Sequence, residues 1–289
     1  MKPLVECAQC ILKWTYGRAA SSANEIQRYE LMRTILGVLS REFTPSGNIA
    51  FISNRCLDAV SESISASSPY YAEIKMETNQ VVEKLLPAAR EFIKKGERSQ
   101  DRFERACCLA AAGNVSPIGA PSGAFEFPEA ENMMMDKGPL PIVIGDIYTA
   151  ARDATHVLFL ADNAGEIGFD ALLIEELRKM GLTVTLVVKE DPFFEDATIK
   201  DAVHFGLDKV AEDILTTRGV FLPGEGTSSL YDAYGESDLV IAKGVFNFEA
   251  LNDEVSGKPT IYMLKMKCGP ISKKNNVGIG KFIVKLEKT

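Results

Sequence analysis

Asp162-Asn163-Ala164-Gly165-Glu166 sets a carboxylate and an amide side by side where an apolar run, Val157 to Ala161, ends. Oxygen donors of these two kinds suit a hard divalent cation such as Mg2+ or Mn2+. The same residues also suit a tight turn that caps a helix, with Gly165 supplying backbone freedom. Asp196 comes after the next run, Thr183 to Val188, and offers either a further oxygen ligand or the N-cap of a short helix. The stretch from Leu222 to Leu230, with Gly226 and Thr227 at its centre, is rich in glycine and hydroxyl groups. Loops of that kind present backbone N–H groups to phosphate, although this one has neither the Walker A sequence nor a dinucleotide-binding G-x-G-x-x-G. Lys243, followed by Gly244, is either a point charge for a phosphate or a surface lysine in a turn. A cation, a lysine and a hydroxyl-rich loop together suit a phosphorylated substrate. His156 and His204 fit no Ser-His-Asp or Cys-His arrangement.

All these polar groups follow short continuous runs of Val, Ile and Leu: residues 157–161, 183–188, 239–242 and 260–264. Strands buried on both faces read this way. A helical period over Ile167 to Met180 separates the first two, so the order is strand, helix, strand, which predicts a parallel doubly wound sheet. Ligands of such sheets bind beyond the carboxyl ends of the strands, where the polar residues lie. The first part of the chain shows only helical patterns. Breaks fall at Ser21 to Asn24, Ser46 to Asn48 and Ser65 to Pro69; Asn24 is a predicted N-cap, and Pro87 should kink or end a long helix that starts after Pro69. The expected organisation is a helical region over 1–115 and, over 116–289, a three-layer α/β/α domain with a mainly parallel, Rossmann-like sheet.

Composition narrows the function classes. With 40 acidic and 32 basic residues in 289, a net charge of −8 argues against nucleic acid and anionic membranes as partners, because both need a basic surface. Neither a signal peptide nor an apolar stretch of membrane-spanning length is evident, so a cytoplasmic protein is expected. Six cysteines are too sparse for a disulfide scaffold. Cys7-x-x-Cys10 has the spacing of a redox pair or half a zinc site, or of two packed small side chains, with Cys268 as the one evident third thiol.

The chain resembles the metal-dependent damage-control phosphatase family, long catalogued as a domain of unknown function, and in particular its CxxC-bearing subfamily. The matching blocks are Asp162 to Glu166 with Phe169-Asp170, Val187-Val-Lys189 leading to Asp196-Ala-Thr198, and Asp238-Leu-Val-Ile-Ala-Lys243-Gly244 with Asn247-Phe-Glu249. Cys7-x-x-Cys10, Ser68-Pro-Tyr70 with Lys75 and Asn79, Ala112-Gly-Asn114 and Leu264-Lys-Met-Lys-Cys268 match in the same order. The resemblance implies a phosphatase for small phosphorylated metabolites, such as sugar phosphates, phosphopantetheine-like compounds or damaged forms of them. It implies Asp162, Asn163 and Asp196 as ligands of a divalent cation, Mn2+, Co2+, Ni2+ or Mg2+. Phosphate binding falls to the glycine loop with Gly226 and Thr227, to Lys189, and to Lys243, Gly244 and Asn247, with Asn114, Lys75 and Asn79 reaching in from the helical part. Glu166 or Asp238 would position water or protonate the leaving oxygen, and Asp162 could instead form an aspartyl phosphate. Cys7, Cys10 and Cys268 stand for a second metal site, with zinc as its ion, or a redox site. Two departures from the family pattern bear on the site: Glu195 replaces the usual Asn and adds charge beside Asp196, and Val245 stands near a usual Gln. A non-hydrolytic phosphometabolite-binding protein and a different α/β transferase are the alternatives.

Overall fold

The break at Asn24 works as the sequence suggests. Its side chain accepts from Gln27 N at 3.0 Å while the Gln27 side chain accepts from Asn24 N at 2.9 Å, a reciprocal cap on the helix Glu25–Glu42. A computed structural model describes residues 1–20, 23–61, 69–253 and 258–288; Ser21, Ser22 and the Ser65 to Ser68 break lie outside the described residues. Five helices make up the first part: α1 (Val5–Ala19), α2 (Glu25–Glu42), α3 (Ile49–Val60), α4 (Pro69–Lys94) and α5 (Ser99–Ala112). Asn48 caps α3 through Ala50 N and Phe51 N.

Pro87 does not end α4, since the helix runs on to Lys94. The cost of an interior proline is about 3 kcal/mol. Pro87 and Glu83, whose carbonyl loses its partner, both face solvent, where water can satisfy that oxygen. Val82, Ala89, Phe92 and Ile93 are buried on the other side of the helix, and each large apolar side chain contributes about 1.5–3 kcal/mol. Burial therefore outweighs the proline.

The remainder builds α6 (Pro128–Met134), β1 (Ile142–Ile144), α7 (Ile147–Arg152), β2 (His156–Leu160), α8 (Glu166–Lys179), β3 (Thr183–Lys189), α9 (Ile199–His204), β4 (Asp213–Thr217), α10 (Ser228–Glu236), β5 (Leu239–Lys243), α11 (Gly244–Leu251), β6 (Thr260–Lys265), α12 (Gly269–Asn275) and β7 (Phe282–Glu287). One seven-stranded sheet has the order β1-β7-β6-β5-β2-β3-β4. Every pairing is parallel except β6 with β7. The central strands β2, β3, β5 and β6 are the four continuous apolar runs, and Leu160 pairs with Val187 on one side and Ala242 on the other.

Residues alternate along each strand between two cores. Val157, Phe159 and Ile241 face a layer formed by α4, α5 and α8; Leu158, Leu160, Val240 and Ala242 face α1, α2, α3 and α11. The first five helices thus share both cores with the sheet, α1 to α3 on one face and α4 and α5 on the other. The result is a three-layer α/β/α architecture. Chain order reverses at β2, whose successor β3 lies to one side and β5 to the other. A crevice opens at such a switch point, beyond the carboxyl ends of β2 and β5.

Candidate active site

Asp162 and Asn163 follow β2 directly at that crevice. They do not cap α8: the N-cap is Gly165, at φ +73°, and no side chain caps it. The loop is held from elsewhere. Gly165 N donates to Asn79 Oδ1 at 2.7 Å, and a Cβ at Gly165 would lie 2.4 Å from Thr78 Cγ2, so α4 fits tightly against the turn. Asp196 is no helix cap either, because Thr198 caps α9 through Asp201. Backbone bonds lock the loop after β3 onto the loop after β2: Ala164 N donates to Glu195 O and Ala197 N to Asp162 O, each at 2.9 Å, and Asn163 and Asp196 form a bridge. Three expected cation ligands from two strand ends are thereby brought together.

The amide of Asn114, at the end of α5, organises the carboxylates. Its Nδ2 donates to Asp162 Oδ2 at 2.8 Å and to both Glu166 oxygens at 3.1 Å, while Asn163 Nδ2 donates to Asp162 Oδ2 at 2.9 Å and Glu166 Oε2 at 3.0 Å. Glu166 is fully buried beneath them. Lys189, at the end of β3, lies 3.8 Å from Asp196 Oδ2. Burial raises the pKa of Asp162, with Glu166 adding to the effect, and burial pushes Asp196 up to about 8 against the opposing pull of Lys189. Both shifts mark a shortage of positive charge around oxygen donors.

Several expected roles change. Lys243 does not face a substrate: it is wholly buried, its Nζ 2.5 Å from Asp170 Oδ1 and 2.7 Å from Glu166 Oε1. Continuous apolar packing around β5 leaves this lysine no route to solvent, so it neutralises the carboxylates under the site. Asn247 Nδ2 donates to Ala161 O and Lys243 O, tying the ends of β2 and β5 together. Lys75 pairs with Asp201 at 2.8 Å, and Asn79 donates to the same residue, so both brace the loops rather than enter the crevice. Gly226 and Thr227 are exposed; Thr227 caps α10, and no described contact joins either residue to Asp162 or Asp196. The charge of Glu195 is met by the Arg18 guanidinium of α1.

Asp238 lies at the wrong edge. It precedes β5, so the whole five-residue strand, about 16 Å at 3.3 Å per residue, separates it from the carboxyl end. Its carboxylate accepts from Thr155 N and His156 N at 2.8 and 3.0 Å and stays half exposed, and those bonds hold its pKa below the usual carboxylate range. Replacing Asp238 by Asn should therefore leave kcat and KM within about twofold of the parent, because surface changes away from a site are small. A steady-state assay checks this, and a hundredfold loss would restore its catalytic role.

Gly244, at φ +79°, is held by a close approach: an added Cβ would lie 2.0 Å from Asp162 Oδ2. Gly244→Ala should displace the carboxylate and strain the backbone. We expect about a hundredfold loss of activity with about 1–2 kcal/mol of destabilisation, read by phosphate release and thermal melting.

One residue without an expected role completes the site. Lys267, two residues past β6, lines the same cavity of about 60 Å3 as Asp162, Asn163 and Asp196. Among the described residues no hydrogen bond or ion pair engages it, and burial pushes its pKa down. Its signals in the sequence were its place in the block Leu264-Lys-Met-Lys-Cys268 and its position: β6 runs parallel to β5, and Lys267 stands just beyond its carboxyl end.

Cys7, Cys10 and Cys268 also meet, around Phe246 and Glu249. Burial pushes all three thiols up, Cys10 to about 12. Among the described residues no group of three or more Cys, His, Asp or Glu side chains is arranged to hold a metal ion.

Fold and site together define an α/β/α layered protein that holds clustered carboxylates and lysines at the switch point of a parallel sheet. Residues 4–283 match the damage-control phosphatase ARMT1-like domain. A damage-control phosphatase of Archaeoglobus fulgidus is 30% identical over 97% of this chain and 97% of its own, and one of Pyrococcus horikoshii is 27% identical over 98% and 97%. The crystal structure of a DUF89 family protein from Pyrococcus horikoshii superposes with a TM-score of 0.79 at 26% identity, covering 98% of both chains. The chain belongs to the damage-control phosphatase family.

Proposed function

We propose that this phosphatase is a divalent-cation-dependent hydrolase of phosphate monoesters on small metabolites, with Asp162, Asn163 and Asp196 holding the cation. The donor set fits: two carboxylates and an amide are hard oxygen ligands, and the carboxylates lack a full complement of positive charge. When bound, such a cation neutralises phosphoryl charge and lowers the pKa of water. Manganese, cobalt, nickel and magnesium all match these donors.

Residues of the chain account for the rest. Lys267 receives the phosphoryl group and Lys189 supports it beside Asp196. Asn114 and Asn163 hold the Asp162 carboxylate in one orientation, and Glu166, paired with Lys243, anchors both amides. The observation that carries this reading is Lys267, a half-buried lysine that makes no hydrogen bond or ion pair among the described residues and lines one cavity with the Asp162 carboxylate. Six free thiols suit a reducing compartment such as the cytoplasm, and no described helix is long and apolar enough to cross a membrane.

The test is phosphate release from a panel of esters by metal-stripped protein resupplied with Mn2+, Co2+, Ni2+ or Mg2+. Release should return with at least one cation. If none restores it while esters still bind, the protein is a binder and the hydrolytic reading is wrong.

A further inference from the structure

The catalytic cavity, at about 60 Å3, has room for a phosphoryl group and little more, so the organic part of a substrate must be housed elsewhere. Two neighbouring cavities are available. The larger, about 290 Å3, lies between α4 and the loop before α9. It shares no wall residue with the catalytic cavity; Trp14, Phe194 and Tyr71 stack edge to face between them, with Phe194 6.4 Å from Trp14 and 5.3 Å from Tyr71. Its lysines are already committed, Lys75 to Asp201 and Lys200 to Asp191.

The other, about 190 Å3, lies where the start of α1 meets α11 and α12. Cys10, Phe246, Glu249 and Cys268 belong to its wall and to that of the catalytic cavity alike. Beyond these four, Cys7, Ile11, Ile49 and Pro270 line it, with the exposed Glu6 at its rim, and cysteine side chains pack as small, weakly polar groups. Val245 extends the apolar wall on the catalytic side.

We infer that this thiol-lined annex is the subsite for the organic part of the substrate, and that it selects phosphate esters of uncharged, largely apolar chains over esters of polyhydroxylated sugars. The inference rests on the phosphatase reading and narrows its substrate class. A sugar would bring several hydroxyl groups to a wall whose side chains offer only Glu6 and Glu249 as oxygen partners, and each unpaired one costs binding. An alkyl chain gains from the same wall. Glu249 lies buried at the seam of the two cavities, where burial pushes its carboxyl up to about 8 against the pull of the N-terminal ammonium.

Binding of n-alkylphosphonates, methyl to butyl, to the Mn2+-loaded protein by calorimetry reads the annex without requiring turnover. Kd should fall roughly fourfold per buried methylene, and glucose 6-phosphate should bind more weakly than butylphosphonate. Gly269 lines the annex, and an added Cβ there meets nothing within 4 Å, so Gly269→Leu and Gly269→Phe should fold. Both should flatten the series. A flat series in the parent protein, or an unchanged slope in both variants, overturns the inference. Phosphate release from butyl phosphate is read separately: if it is absent while the slope persists and the variants flatten it, hydrolysis is refuted and the annex stands as a ligand site.

Discussion

Replacing Asp162 by Asn is expected to lower kcat/KM for phosphate release by on the order of a thousandfold and to weaken cation binding, while the metal-free protein melts at the same or a higher temperature. The two effects have one cause. Asp162 is half-buried beside the fully buried Glu166, and its pKa is raised by loss of solvent first and by that neighbour second. A neutral amide removes that repulsion, and it can still accept from Asn114 and Asn163 with its oxygen. Charge available to a cation is what disappears. Metal content by mass spectrometry, melting with and without Mn2+, and steady-state kinetics separate the terms. Full activity in the variant would remove Asp162 from the chemistry, and a large fall in melting temperature would make its role structural.

The second large effect distinguishes a fully buried lysine from a half-buried one. Lys267→Met should leave the fold intact and reduce kcat/KM by about a hundredfold, because it removes a cation that makes no hydrogen bond or ion pair within the described residues and acts on Asp162 only through its charge. Lys243→Met should instead unfold readily. It removes the one cation paired with Glu166 and Asp170, both fully buried, and removing one partner of a buried ion pair costs about 3–5 kcal/mol. Denaturant titration of both variants, with activity measured below the transition, reads the contrast. Equal stability with activity lost only in Lys243→Met would return the phosphate-binding role to Lys243.

Local spacing does not tell these two lysines apart, because each stands at or just past the end of a buried parallel strand. Lys243 closes a strand wholly enclosed by packing, whereas Lys267 has passed the last rung of β6 and reached the cavity. Asp238 is misplaced for a related reason: its block resembles a family motif, but it occupies the amino end of β5. β1 and β7 were not visible as strands, since β1 has only three residues and β7 ends in partly exposed positions. Pro87 misleads because propensity is local and the burial that overrides it is not.

Periodicity and side-chain chemistry are properties of the chain alone, and they sufficed for the sheet and its oxygen donors. Continuous apolar runs require strands covered on both faces, alternation with helices makes the sheet parallel, and Asp162, Asn163 and Asp196 must then lie past strand ends. Which charges meet was settled only by folding. Arg18 of α1 takes Glu195, Lys243 takes Glu166 and Asp170, Asn114 of α5 orients Asp162, and Lys267 is left facing the crevice. Those pairings join residues far apart in the chain, and in a buried site the cost of each unpaired charge is set by its neighbours in space.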